Sequence, residues 1–132
     1  MILNFIENKN FLETLFKDIP QIEKFELCKL SLDREGPAVE LSMIVNKVPE
    51  MLPRKYQGQN LNASFLVLRL LPINSVVLRS WETVNIGTFE IEKVDDINKL
   101  QFLKLETKEI LFKLECQFID LISWTPYLRE TI

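Results

Sequence analysis

FELCKLSLDREGPAVELSMIV, Phe25 to Val45, is the stretch whose reading decides the fold. Two strand-like runs flank DREG, where Gly36 can take the positive φ that closes a hairpin. In the second run Val39, Leu41, Met43 and Val45 alternate with polar Glu40 and Ser42, so the apolar period is two rather than 3.6. This predicts an antiparallel pair, Phe25 to Leu32 against Ala38 to Val45, with one face buried.

The same reading extends along the chain. SFLVLRLL, Ser64 to Leu71, is apolar on both parities, as in a central strand covered on two sides. Pro72, Ile73 and Asn74 read as a tight connection to a return strand, SVVLRSW. IGTFEIEKV buries Phe89 and Ile91 and turns Thr88, Glu90 and Glu92 outward. KLQFLKLE changes parity from Leu100 and Phe102 to Leu103 and Leu105, which predicts a bulge or two-sided burial. EILFKLECQF alternates, and the tail IDLISWTPYLRE extends it until Pro126 breaks it. Near the N-terminus Asn10 and Glu13 have capping-box spacing, and Phe11, Leu12, Leu15 and Phe16 share one helical face that ends near Asp18. The sum is a mainly β chain: an antiparallel meander of about seven strands, curled into a sandwich or partial barrel, with one N-terminal helix over an open face or end.

Composition narrows the function classes. The 132 residues, 47% hydrophobic and 27% charged, suit one globular domain over residues 1–132. A net charge of −3 gives no basic footprint for nucleic acid. The start MILNFIENKN lacks a signal-peptide pattern and no apolar run approaches about 20 residues, so a cytoplasmic protein without a membrane span is expected. There is no histidine, which removes His-based zinc sites and Ser/His or Cys/His nucleophile pairs. Cys116 continues the alternation of Ile110, Phe112 and Leu114 and reads as a buried free thiol. A bridge to Cys28 requires neighbouring strands, and a cytoplasmic address opposes it.

No cofactor or metal pattern is present: VDDINKL lacks the glycine and trailing glutamate of a calcium loop, and no glycine-rich phosphate cradle occurs. Glu90 and Glu92 lie about 7 Å apart along one strand face, but on the polar side of an alternation rather than in a cleft, so catalysis is not expected of them. Arg69 and Arg79 interrupt apolar strands and read as solvent-facing or as partner contacts. Two features remain. VNKVPEMLPRKYQGQNLNASF, Val45 to Phe65, carries Pro49, Pro53 and the cluster Arg54, Lys55 and Tyr56; it reads equally as a stiffened recognition loop or as a crossover between sheets. From Trp81 onward Glu82, Glu90, Glu92, Asp95 and Asp96 face a single Lys93, a local acidic stripe.

LCKLSLDREGPAVELSMIV, VPEMLPRKYQGQNLNASFLVLRLL, SWETVNIGTFEIE and LFKLECQFIDLISWTPYL, in that order, resemble the Immunity protein 50 family of bacterial polymorphic-toxin systems over roughly residues 15 to 128. The resemblance implies a non-enzymatic protein that binds and neutralises a cognate toxin domain. The loop cluster, the tryptophan and the acidic stripe read above supply the candidate partner contacts: Arg54, Lys55, Tyr56, Trp81, Glu82, Glu90, Glu92, Asp95 and Asp96. Two other readings stand beside it. One is a carrier whose interior, lined by Phe65, Trp81, Phe89, Phe102, Phe112 and Phe118, holds a small hydrophobic ligand; the other is a structural subunit, or a homodimer, associating through sheet edges.

Overall fold

The structure is a computed structural model and describes residues 2–22, 24–79, 86–95, 101–107, 109 and 112–129. The opening hairpin forms as expected, with β1 (Phe25–Asp33) against β2 (Ala38–Val45). Gly36 adopts φ 71° in the turn, and the Asp33 carboxylate accepts the Glu35 N–H at 3.0 Å. Cys28 is an extra residue in β1, because Leu27 pairs with Met43 and Lys29 with Ser42.

The return strand after Leu71 does not exist. β3 runs unbroken over Ala63–Leu78, through a cis Leu71–Pro72 peptide and a bulge at Asn74. Its partner is β7 (Phe112–Tyr127), paired from Ala63↔Tyr127 to Leu78↔Phe112. Turn-type residues are tolerated here because Pro72 occupies no ladder position: the β2 pairing has ended at Val39↔Leu70, and the β7 register passes from Leu71↔Phe118 to Ile73↔Cys116. Nor does Pro126 stop β7; it is buried opposite Ser64 within the last paired residues.

IGTFEIEKV, read as one strand, is two. β4 (Ile86–Gly87) pairs with Phe25 and Glu26 of β1, whereas β5 (Glu90–Asp95) pairs with β6 (Gln101–Thr107). The order across the sheet is β4-β1-β2-β3-β7-β6-β5. The meander therefore holds within two halves, β1–β3 and β5–β7, fused along β3 and β7. All the described strands belong to one sheet, so of the two architectures expected the partial barrel is the one found. The described β6 pairs with β5 in unbroken register, so the parity change expected in this run produces no bulge there; Phe102 is half-buried instead.

The concave face carries Leu41, Met43, Leu66, Leu68, Leu70, Leu105, Leu114, Ile119 and Leu121, all essentially inaccessible. It is filled by the chain's own beginning. Ile2, Leu3 and Ile6, then Leu12 and Leu15 of α1 (Lys9–Leu15), then Phe16, are buried against it. Phe16 meets Trp124 edge-on at 5.0 Å. Each such side chain contributes on the order of 1.5–3 kcal/mol. The helix starts earlier than its capping-box spacing suggests: the cap residue is Asn8, and its side chain makes no capping bond. Instead the Asn8 amide donates to the Leu121 carbonyl at 2.7 Å, while its Oδ1 accepts the Leu121 N–H at 2.8 Å. With the Ile6↔Ile119 parallel bridge and a bond from the Glu7 N–H to the Ile119 carbonyl (2.9 Å), the segment covers β7 beyond the Leu103↔Cys116 pair with β6.

Truncation at Asn8 would strip two bonds from a part-buried backbone step. Asn8→Ala is expected to lower unfolding free energy by about 2 kcal/mol, read as a lower urea midpoint at unchanged slope. A loss no larger than that of neighbouring Glu7→Ala would show that the amide pairing contributes nothing.

Candidate partner-binding surface

The segment from Asn46 to Asn62 joins β2 to β3, which are hydrogen-bonded neighbours. It is thus a long hairpin loop, and the alternative of a crossover between sheets is removed. Both ends are pinned. The Ser64 hydroxyl donates to the Lys47 carbonyl, and Pro49 is buried. The Met51 N–H donates to the Leu15 carbonyl at 3.0 Å, and Asn62 exchanges side-chain bonds with the Arg129 backbone at 2.9 and 2.6 Å. Between these anchors Arg54–Tyr56 form a single 3-10 turn after Pro53. Gln57 and Gln59 donate their amides back to the Leu52 and Lys55 carbonyls, and Gly58 takes φ 78°. Arg54 and Lys55 are exposed, and the Lys55 ammonium lies 5.0 Å from the centre of the half-buried Tyr56 ring.

The acidic residues divide. Glu90 and Glu92 are exposed on the outward parity of β5. Opposite them on β6 stand Glu106 and Lys104, and beyond these Lys113 and Glu115 on β7. Lys113 pairs with Glu106 at 3.5 Å, and the Asn74 amide donates to Glu115 at 3.1 Å. Glu90 thus faces Glu106 directly, a like-charge cross-strand pair that sheets ordinarily avoid. Asp95 falls on the other parity, with Ile91 and Lys93, and Lys93 sits over the Phe5 ring at 5.7 Å. Trp81, Glu82 and Asp96 lie outside the described residues. Glu106 and Glu115 complete the outward acidic ladder; the alternation of their own strands marks them as polar, but only the register sets them beside Glu90 and Glu92.

The fold keeps the loop and the acidic ladder apart. The loop enters β3 at Ala63, whereas the Glu92 row crosses β7 at Glu115, level with Ser75 of β3. That strand path is about 40 Å at ~3.3 Å per residue. A standard interface buries only about 800 Å² on each partner, so one docking event engages one of these features, not both.

Other expectations resolve similarly. β2 and β3 separate Cys28 on β1 from Cys116 on β7, and both thiols are free. Burial pushes the Cys116 thiol up to about 12, and burial followed by the Glu26 charge raises exposed Cys28. The carrier's lining does not converge: Phe65 and Phe118 are on the outward side, while Phe89 is stacked on Phe25 at 4.1 Å and meets Phe112 edge-on at 6.1 Å. One surface depression of about 360 Å³, lined by Gln21, Ile22, Lys24, Val45, Asn46 and Lys47, holds no carboxylate, whereas Glu90, Glu92, Lys104 and Glu106 line a shallow one of about 150 Å³. Among the described residues no cluster of acidic or cysteine ligands is placed to hold a metal, and no helix is long and apolar enough to cross a membrane.

A one-layer half-barrel whose concave face is covered by its own N-terminal segment presents its charged groups, among the described residues, on its outside. Comparison with known families agrees with the resemblance seen in the sequence: the family model for Immunity protein 50 matches residues 8–127, and the chain belongs to that family. No curated protein and no solved structure matches it.

The thiol environments give a direct check. One equivalent of a thiol reagent is expected to react rapidly with the native protein, at Cys28, and a second only on unfolding; fast native labelling that survives Cys28→Ser would contradict the packing around Cys116. A pH dependence follows. An unfolded thiol ionises near 8.5 while folded Cys116 stays neutral, so the unfolded state sheds a proton that the native state keeps. Stability from this group is unchanged below about pH 8 and declines by up to ~1.4 kcal/mol per unit from there towards pH 12. The difference between wild type and Cys116→Ala across that range measures it.

Proposed function

We propose that this protein is a non-enzymatic, cytoplasmic immunity protein that neutralises a cognate toxin domain by binding it. The observation that carries the reading is family membership over nearly the whole chain. The concave face supports it, because among the described residues that face is covered by the buried side chains of residues 2–16 and the charged groups lie outside. For the docking surface we favour the outward ladder of Glu90, Glu92, Glu106 and Glu115 over the loop at Arg54–Tyr56. Glu90 and Glu92 are exposed on the outward parity of β5 and give the ladder a surplus of negative charge that attracts a cationic surface. A toxin that handles phosphates must present such a surface. The loop, by contrast, is cationic and would suit an acidic partner.

Co-expression with the toxin domain encoded beside it is expected to rescue growth and to yield a stable complex. Glu90→Lys with Glu92→Lys should slow association at least tenfold at low ionic strength and flatten its salt dependence, with folding stability within about 0.5 kcal/mol of wild type. No rescue and no complex, with the toxin shown to be active, would reject the neutralising role for that pair. An unchanged association rate in the double variant, with rescue intact, would move the contact to the loop.

A further inference from the structure

β4 covers only the first two residues of β1, pairing Gly87 with Phe25 and Ile86 with Glu26. Among the described residues no strand pairs with the rest of that side, Leu27 to Asp33, so β1 leaves an open edge. The register fixes which backbone groups face it. Leu121 turns its N–H and its C=O to the Asn8 side chain, and Ile119 accepts from the Glu7 N–H, so Phe118 and Asp120, on the other parity, face β3. Carried across the pairs Asp120↔Arg69, Leu68↔Leu41 and Glu40↔Ser31, that alternation turns the Ser31 backbone to β2 and the N–H and C=O groups of Leu30 and Leu32 to the open side. Closure of the sheet lies elsewhere: Phe89 stacks on Phe25 at the opposite end of β1, Lys29 and Asp33 are exposed, and Leu32, at 61%, is more exposed than any other large apolar residue described. The two edges also differ in chemistry. β5 carries Glu90, Glu92, Lys93 and Asp95 among its six residues, which discourages strand addition, whereas Lys29 to Asp33 has one charge at each end and Leu30, Ser31 and Leu32 between.

We propose that KLSLD, Lys29 to Asp33, pairs with the same stretch of a second copy of the chain, antiparallel and two-fold symmetric about Ser31. The sequence of the edge is what selects an identical strand. Laid antiparallel on itself about Ser31, it sets Lys29 opposite Asp33 twice, Leu30 opposite Leu32 twice, and Ser31 opposite Ser31. Centred on Leu30 instead, Lys29 meets Ser31 and neither charge finds its opposite; centred on Leu32, Leu30 and Lys29 run into the turn at Arg34 and Glu35. Faces agree as well. Lys29 and Ser31 lie beside Ser42 and Glu40 on the outward side, whereas Leu30 and Leu32 lie beside buried Leu41 and Val39, and Leu30 already packs against the core. Leu30 of one copy therefore covers Leu32 of the other, and the ion pairs form on the wet side. The backbone completes the match: the central Ser31 pair is of the non-hydrogen-bonded kind, and the two Leu30–Leu32 pairs beside it exchange four N–H···O=C bonds. Strand addition draws its affinity from such main-chain bonds rather than from buried area. A seam of about 17 Å is short, so the dimer is weak and reversible. Glu90, Glu92, Glu106 and Glu115 are not on β1, so the acidic ladder takes no part in it.

Cross-linking reads the register directly. In a Cys28→Ser background, Ser31→Cys is expected to give an intermolecular disulfide under mild oxidation, because Cα atoms of a non-hydrogen-bonded pair stand about 4.5 Å apart, within disulfide reach. Lys29→Cys in the same background should cross-link at least tenfold more slowly, since its two copies stand about 13 Å apart along the seam. Sedimentation velocity of the unaltered chain over about 1–300 μM, in reducing buffer, should show a concentration-dependent dimer. Leu32→Lys should weaken that dimer at least tenfold with circular dichroism and melting retained, and Glu92→Lys should leave it unchanged. A chain that stays monomeric throughout overturns the proposal, as does a dimer indifferent to Leu32→Lys, or cross-linking no faster at position 31 than at 29. If the chain is monomeric and Leu32→Lys instead weakens toxin binding, the edge receives a strand of the toxin and the dimer is rejected. Because the measurement uses the chain alone, it succeeds or fails independently of the neutralising role.

Discussion

Thr88 and Phe89 alone separate β4 from β5, yet these strands belong to opposite ends of a seven-stranded sheet. Two residues span at most about 10 Å, whereas seven strands laid flat would hold their outer members nearly 30 Å apart. The sheet has to curl until its ends almost meet. Phe89 occupies the closure, stacked on Phe25 of β1 and edge-on to Phe112 of β7. Bulges at Cys28, Asn74 and Ile122 supply local bending in β1, β3 and β7. Once curled, the sheet has a concave face too deep to be left open, and residues 2–16 fill it. Closure, curvature and the fate of the N-terminus are thus consequences of one short connection.

What was legible in the sequence follows from whether the deciding interactions are local. Period-two alternation and a glycine at the required φ are local, so the β1–β2 hairpin could be placed almost to the residue. Pro72 and Asn74 carry ordinary turn chemistry, and only a long partner strand, 40 residues further on, overrides it. The division of IGTFEIEKV was invisible for the same reason: Ile86 and Glu90 sit on one run of alternation but hydrogen-bond to strands at opposite ends of the sheet. At the N-terminus the capping box pointed to Asn10, whereas Asn8 precedes the helix and spends its amide on the Leu121 backbone, a pairing that no helix-capping rule anticipates.

The partner surface divides along the same line. Glu90 and Glu92 are outward because they alternate with Ile91, and that much could be read directly. Asp95 is off the ladder by one step of parity, a distinction lost when acidic residues are gathered by proximity in the chain. Glu106 and Glu115 join through register, a tertiary property, and the ~40 Å of strand between Arg54–Tyr56 and the ladder is likewise a matter of topology. Two candidate features that lie close in the chain are far apart along the sheet.

Among the described residues the outside carries a stiffened cationic loop and, at one end of the sheet, an acidic ladder. Both act at long range and weaken as salt rises, and their signs are opposite, so a charged partner is drawn to one and repelled by the other. Glu90 and Glu92 on β5 give the ladder a surplus of negative charge over Lys104 and Lys113. That it stands on an edge strand, where charge also discourages strand addition, gives it a second physical reason to persist. On β6 and β7 the outward carboxylates Glu106 and Glu115 are matched by Lys104 and Lys113, so the surplus negative charge sits on β5 itself, where edge protection and attraction of a cationic surface act together.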